Sequence, residues 1–110
     1  MKGEHRMAKF KHTQNLSGIE FDKTLTMYCP LGRDYYTATV SVNFIPGEWV
    51  MDYLDVEDFF KKTQGEHLII EDLVNKVYGY LKDNYAPANL AVAVHAENAT
   101  HFPVTVYKQD

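Results

Sequence analysis

Cys29 is the only cysteine of the chain, and its setting raises the question of whether it is a nucleophile. It is followed by Pro30 and by a turn sequence that contains Gly32, ahead of a regular strand pattern. A thiolate attacks electrophilic carbons, but an ordinary thiol needs a neighbouring cation, a base or free backbone N–H groups to form it at neutral pH. Arg33 is near enough in sequence to supply the cation, and Asp34 to transfer protons. The alternative is a small buried hydrophobic residue, the commonest role of a free cysteine.

Glu71 is the second candidate, because it lies in the opening turn of a predicted helix beside apolar residues. A partly buried carboxylate between Ile70 and Leu73 needs a partner, such as a pair of N–H donors on a ring. The alternative is a solvated charge that interacts with the helix dipole. His95 falls on the more polar face of a predicted strand, where it either lines a pocket or is a surface histidine.

The histidines and the cysteine do not form a metal-binding pattern. Zinc ligands are usually paired at short spacing in the sequence, and none of these residues is spaced in that way. We therefore expect no metal. The histidines considered are His5, His12, His67, His95 and His101.

Alternating apolar and polar side chains indicate strands in the first half of the chain. Residues 24–29 and 37–44 alternate with a period of two, as expected of strands with one buried face. Turn-forming residues follow at 45–48, and residues 49–51 are interpreted as the return strand of a hairpin.

Two helices and two further strands are predicted after this turn. Asp55 is the predicted N-cap of a short helix that Gly65 ends. A second helix covers about residues 68–81, with apolar side chains on one face. Residues 89–96 and 102–107 alternate again and form the last two strands.

The order ββααββ predicts an α+β fold, an antiparallel sheet with both helices on one face. Pro103 cannot donate a hydrogen bond to a neighbouring strand, so it is expected at a sheet edge or at the start of a strand. Proteins rarely leave long sheet edges open. One solution is that neighbouring subunits pair at these edges and close an oligomeric barrel, with the polar face of residues 37–43 lining its lumen.

Length and composition indicate one globular domain. The chain has 110 residues, of which 45% are hydrophobic and 24% charged, with a net charge of −4. We expect a flexible basic segment over residues 1–20, either a solvated leader or an arm that touches RNA phosphates, and a folded domain over residues 21–110. No stretch is typical of a membrane span or a secretory signal, and a lone cysteine suits a reducing compartment. The expected location is the cytoplasm, without membrane association.

Several short motifs carry a resemblance to a known family. They are Cys29-Pro30, the strand TATVSVNF at 37–44, the Ile-Pro turn at 45–46 and the Glu-Asp pair at 71–72. Together they resemble the 7-cyano-7-deazaguanine reductases (QueF) and their shorter amidino-transferring relatives, which have the tunnelling fold. The resemblance covers about residues 26–107.

The resemblance implies a chemistry for Cys29 and Glu71. In the family, the cysteine adds to the nitrile carbon of 7-cyano-7-deazaguanine and forms a covalent thioimide. The reductases then use NADPH twice to make an aminomethyl base, a precursor of queuosine in tRNA, whereas the shorter relatives form an amidine, as archaeosine needs. A glutamate, Glu71 here, holds the N–H edge of the ring, and the sites lie between subunits of a homo-oligomer.

The chain also departs from the family pattern. The catalytic aspartate of the family falls on Tyr36, for which Asp34 is the candidate substitute, and the histidine before the glutamate is Ile70. The segment that binds NADPH in the reductases corresponds to residues 52–57, which have no serine or lysine and whose acids would repel phosphates. NADPH is therefore only weakly supported.

The sequence thus predicts an enzyme that modifies the nitrile of a deazapurine, with tRNA as a further partner. Its predicted catalytic residues are Cys29 and Asp34, and its predicted substrate-binding residues are Glu71, His95 and Tyr36. The alternative is a non-catalytic relative of the same fold that binds a purine or pterin.

Overall fold

A computed structural model of the chain describes residues 10–11, 13–98 and 102–110. Its elements are β1 (Ile19–Cys29), β2 (Asp34–Ile45), α1 (Tyr53–Thr63), α2 (Ile70–Tyr85), β3 (Asn89–Ala96) and β4 (Val104–Gln109). The predicted order ββααββ and the α+β class are confirmed.

The strands of the described residues form one four-stranded antiparallel sheet in the order β1-β2-β3-β4. The buried side chains of β2 alternate with more exposed ones and are Tyr36, Ala38, Val40, Val42 and Phe44. The side chains that the helices bury in the same core are Val56, Phe60, Ile70, Leu73, Val74, Val77, Leu81 and Tyr85. Because these side chains form a single apolar cluster, α1 and α2 cover the same face of the sheet, as predicted.

Residues 49–51 do not form the predicted return strand. β2 already pairs with β1 on one edge and with β3 on the other, so it has no edge left for a further strand. Trp49 instead makes an isolated bridge with Lys11. The last strand, predicted at 102–107, is β4 at Val104–Gln109. The expectation for Pro103 is confirmed, because it lies directly before the first residue of this edge strand.

The N-cap of α1 is Asp52 and not the predicted Asp55. The Asp52 side chain accepts hydrogen bonds from the N–H groups of Leu54 and Asp55, at 3.0 and 3.2 Å. The helix ends as predicted, since Gly65 follows the C-cap Gln64 with φ +85°, a conformation that favours glycine. Asp55 is buried in the first turn of the helix.

The sheet begins before the predicted domain start, because β1 includes Ile19 and Glu20. Phe10 also contacts the folded part, since its carbonyl accepts a 2.8 Å hydrogen bond from the N–H of Val50. Residues 1–9 and 12 lie outside the described residues, so the flexible basic arm stays a prediction. Neither α1 nor α2, the helices of the described part, combines the length and apolar character needed to cross a membrane.

Candidate functional site

A groove of about 800 Å³ lies where β1 turns into β2 and where α2 begins. Its volume suits a small organic ligand. Among the residues that line it are four of the five predicted site residues, namely Cys29, Asp34, Tyr36 and Glu71. The fold therefore brings together residues from two adjacent strands and from a helix that begins far along the chain.

Cys29 is the last residue of β1, and its side chain is partly buried at the groove. The chain then turns, and the N–H of Arg33 donates to the carbonyl of Cys29 at 2.7 Å. The same turn directs the N–H of Gly32 at the Cys29 Sγ, with a nitrogen–sulfur distance of 3.4 Å. A backbone N–H in this position stabilises negative charge on the sulfur. Arg33 thus contacts Cys29 through its backbone N–H, where the sequence suggested its guanidinium.

Asp34 lies directly opposite Cys29 in the register of β1 and β2. Directly paired residues of antiparallel strands project to the same face, with Cβ atoms roughly 4.5–5.5 Å apart. Asp34 is exposed, and its Oδ1 accepts a 2.8 Å hydrogen bond from the N–H of Tyr35. The regular strand already begins at Asp34, and side chains two residues apart in a strand lie on the same face. The carboxylate of Asp34 and the ring of Tyr36 therefore share the face that borders the groove.

Tyr36 is 3% exposed, and its hydroxyl donates a 2.6 Å hydrogen bond to the carbonyl of Leu68. Burial, followed by the negative charges of Cys29, Glu71 and Asp72, raises the pKa of Tyr36 to about 12. The side chain is therefore a neutral phenol at physiological pH. Its hydroxyl is engaged with the protein backbone, and its role in substrate binding stays a prediction.

Glu71 is the second residue of α2 and borders the groove together with Ile69 and Ile70. It is exposed, so the expectation of a partly buried carboxylate is wrong. The physical reason is the direction of the side chains in the first turn of α2. This turn buries Ile70 and leaves the next side chain, Glu71, in solvent. A carboxylate at this end of a helix is favoured by the helix dipole and can accept hydrogen bonds from the N–H groups of a ligand.

His95 is not brought to the groove. It lies on the sheet face opposite the helices, and its ring nitrogens are 2.6 Å from the Oγ1 of Thr105 and 2.9 Å from the Oε2 of Glu97. Its neighbours Val94 and Ala96 point into the core instead. A substrate-binding role for His95 stays a prediction, and His5, His12 and His101 lie outside the described residues.

Sequence reasoning missed some residues of the groove. Ile69 borders it from the chain that leads into α2, and Asn98 from the connection after β3. The Oδ1 of Asn98 also accepts a 3.5 Å hydrogen bond from the N–H of Thr37. The pairing of β2 with β3 brings the end of β3 to the start of β2 and would have pointed to Asn98. The sequence pattern does not specify which strands pair, so it gave no such signal.

The structure gives two observations on cofactors. Among the described residues, no group of three or more His, Cys, Asp or Glu side chains is arranged to hold a metal ion. Residues 52–57, which correspond to the NADPH-binding segment of the reductases, form the N-cap and first turn of α1. In this segment Asp52 caps the helix, and Asp55 accepts hydrogen bonds from the hydroxyls of Tyr80 and Tyr85 at 2.5 and 2.6 Å.

Comparison with known proteins identifies the fold. No protein-family model matches the chain, and no curated protein matches it. Among solved structures, the chain is similar to the crystal structure of the archaeosine synthase QueF-Like in its apo form, with a TM-score of 0.80 and 18% sequence identity. The match covers 88% of this chain and 96% of that chain. The chain thus has the fold of that protein, which confirms the α+β arrangement expected of a tunnelling-fold subunit.

Proposed function

We propose that the chain is an enzyme that modifies the nitrile of 7-cyano-7-deazaguanine through a thioimide on Cys29. The observation that carries this proposal is the position of Cys29 and Glu71 on one groove, with Asp34 across the strand pair from the thiol. A planar base in this groove would present its N–H edge to Glu71 and its nitrile to Cys29.

The covalent step uses groups that the groove provides. The thiolate of Cys29 adds to the nitrile carbon, a carbon–sulfur bond forms, and one π pair of the triple bond moves to the nitrile nitrogen. Asp34 accepts the proton that the Cys29 thiol gives up and transfers it to this nitrogen. The Gly32 N–H, which lies 3.4 Å from Sγ, stabilises the thiolate before attack and again when sulfur leaves.

The second step that we propose is attack by ammonia on the thioimide carbon. The nitrogen–carbon bond forms, the carbon–sulfur bond breaks, and the products are an amidine and the regenerated thiolate, without oxidation or reduction. The structural role of residues 52–57 supports this outcome over reduction by NADPH. The similar solved structure is an archaeosine synthase, which supports the same choice.

The proposal includes the surroundings in which such an enzyme works. An amidine on a deazapurine is a modification of tRNA, so tRNA is the proposed macromolecular partner and the cytoplasm the proposed location. The edges of β1 and β4 suit pairing with further copies of the chain, which would place additional residues around the groove.

A second candidate function is binding of a purine or pterin without catalysis. It is favoured by two of the departures from the family, Tyr36 in place of the aspartate and Ile70 in place of the histidine. Under this alternative the groove holds a planar base through Glu71, and Cys29 only packs beside it.

Intact-protein mass spectrometry with 7-cyano-7-deazaguanine tests the proposal. We expect a mass increase equal to the whole base in the wild type and none in Cys29→Ala, because addition to a nitrile expels no group. Ammonia should then release the amidine and restore the original mass, with no consumption of NADPH.

The other outcomes decide against the proposal. A wild type that gains no mass, or an equal gain in Cys29→Ala, contradicts the thioimide. If calorimetry then shows binding that survives in Cys29→Ala and is lost in Glu71→Ala, the non-catalytic alternative is correct.

A further inference from the structure

The chain between α1 and α2, residues 64–69, lies along the outer edge of β1, and we name it the brace segment. The N–H of Gly65 donates to the carbonyl of Thr26 at 2.9 Å, and the N–H of Tyr28 donates to the carbonyl of Glu66 at 3.2 Å. A connection between two helices is thereby hydrogen-bonded to the strand that ends in the nucleophile.

Side chains strengthen this attachment. The Oε1 of Gln64 accepts a 3.0 Å hydrogen bond from the N–H of Thr26, on the same edge of β1. His67 forms an isolated parallel bridge with Tyr28, and the two ring centroids are 4.5 Å apart. The brace segment thus contacts β1 up to the residue directly before Cys29.

The other end of the brace segment is held from β2. The carbonyl of Leu68 accepts the 2.6 Å hydrogen bond from the hydroxyl of Tyr36, a side chain that is almost fully buried. The N-cap of α2, Ile69, has no side chain that can accept a hydrogen bond, so its own side chain does not define where the helix starts. The contact between Tyr36 and Leu68 lies directly before this start.

We infer that Tyr36 is a positioning residue, which acts through the brace segment to set the separation between the Cys29 thiol and the Glu71 carboxylate. Glu71 follows Leu68 by less than one helical turn, and Cys29 follows Tyr28 directly. A displaced brace segment would therefore move one group relative to the other. The inference deepens the proposed function and rests on it, because the two groups need a fixed separation only if one ligand contacts both.

Amide hydrogen exchange by NMR tests the brace segment without any substrate. In Tyr36→Phe we expect the N–H groups of Gly65 and Tyr28 to exchange roughly five- to tenfold faster, the change expected when one buried hydrogen bond is lost. The matched control is Tyr80→Phe, which removes a hydroxyl bonded at 2.5 Å to Asp55 and leaves the brace segment intact. Gln64→Ala is a second variant, at an exposed position, and should also speed exchange at both sites.

Reaction kinetics test the positioning role separately. Tyr36→Phe should slow adduct formation with 7-cyano-7-deazaguanine by roughly tenfold, because the base held by Glu71 is no longer aligned with the thiol. Alkylation of Cys29 by iodoacetamide should change by less than about twofold, because this small reagent does not need Glu71. Tyr80→Phe should leave both rates unchanged.

The outcomes separate this inference from the proposed function. If the wild type forms the adduct and Tyr36→Phe changes neither amide exchange nor the adduct rate, the positioning role is wrong and the proposed function stands. If alkylation and adduct formation slow equally, Tyr36 acts on the thiol itself and the positioning role is again wrong. If the wild type forms no adduct while exchange rises as expected, the proposed function fails and the brace segment is supported as a structural element.

Discussion

At the scale of single residues, the fold brings groups to the groove at Cys29 by different routes. The Gly32 N–H arrives through a tight turn, Asp34 through strand pairing, and Glu71 through the packing of a distant helix. The turn stabilises charge on sulfur, the paired carboxylate can transfer a proton, and the helical carboxylate can hold a ligand. Because these tasks are distinct, replacing one group should impair its own task and leave the others.

Asp34→Asn should slow adduct formation on Cys29 by roughly a hundredfold, because an amide cannot deliver the proton to the nitrile nitrogen. Binding of the base, measured by calorimetry in a Cys29→Ala background, should remain within about threefold of the parent. The control is Asp83→Asn, the same change at an exposed position near the end of α2. Equal adduct rates in the wild type and Asp34→Asn would show that another group transfers the proton.

Tyr36 should contribute to unfolding at alkaline pH. Its pKa is raised from 10.0 to about 12 in the folded chain, with burial as the main cause. Between about pH 10 and about pH 12 the unfolded chain therefore loses this proton while the folded chain keeps it, so the free energy of unfolding falls by about 1–3 kcal/mol as the pH rises. Below about pH 10 the contribution is fully present.

Urea titrations over this pH range measure that contribution. The fall should be shallower in Tyr36→Phe, which has no proton to lose, and unchanged in Tyr35→Phe, whose ring is 61% exposed on the same strand. The readout is the slope of the free energy of unfolding against pH. Loss of the Tyr36 hydrogen bond lowers that free energy by the same amount at every pH, so it leaves the slope unchanged. Parallel curves for the wild type and Tyr36→Phe would contradict the prediction.

At the scale of secondary structure elements, the start of α1 is joined to α2 by a buried carboxylate. Asp55 is 4% exposed and accepts hydrogen bonds from two tyrosine hydroxyls of α2. Burial, and then the hydrogen bond to Asp55, raises the pKa of Tyr85 well above its ordinary value, so this hydroxyl keeps its proton as a donor. The acidic segment 52–57 thus has a structural role in helix capping and helix pairing.

Asp55→Ala should lower the free energy of unfolding by about 2–4 kcal/mol, because it removes the buried carboxylate to which the hydroxyls of Tyr80 and Tyr85 donate. Asp58→Ala, one turn later at an exposed position of the same helix, should change it by less than about 0.5 kcal/mol. Urea denaturation followed by far-ultraviolet circular dichroism measures both. Similar midpoints for the two variants would show that the carboxylate does not join the helices.

At the scale of the whole molecule, the two outer edges of the sheet differ. The brace segment covers the edge of β1 at Thr26 and Tyr28, whereas the earlier half of the strand has no such cover among the described residues. Hydrogen-bonding directions alternate along a strand, so the N–H of Thr24 points outward as that of Thr26 does. Residues 20–24 and the outer edge of β4 are therefore the expected sites of pairing with neighbouring copies.

If copies of the chain pair at this edge, Thr24→Pro should give a smaller assembly than the wild type, because proline removes the outward N–H and blocks pairing with another strand. Thr24→Val is the control, since it keeps the N–H and suits a strand. Light scattering coupled to size-exclusion chromatography measures the mass of each. A monomeric wild type, or equal masses for the wild type and Thr24→Pro, would rule out pairing at this edge.

The sequence by itself determined the order of the elements, the face that β2 buries and the end of α1 at Gly65. These features depend on side-chain periodicity and turn conformations, which act within a few residues. The resemblance also selected Cys29 and Glu71 before their positions were known. Local patterns were insufficient where two signals were alike, as at Asp52 and Asp55, either of which suits an N-cap.

Only the tertiary structure decided which groups meet. It brought Asp34 and Tyr36 to one groove with Cys29, left His95 on the opposite face of the sheet and attached the brace segment to β1. These contacts join residues far apart in the chain, and they form because strand edges and buried polar groups take whatever partners the packing brings near. Periodicity shows that a segment has a buried face, but it carries no information about which segment will cover that face.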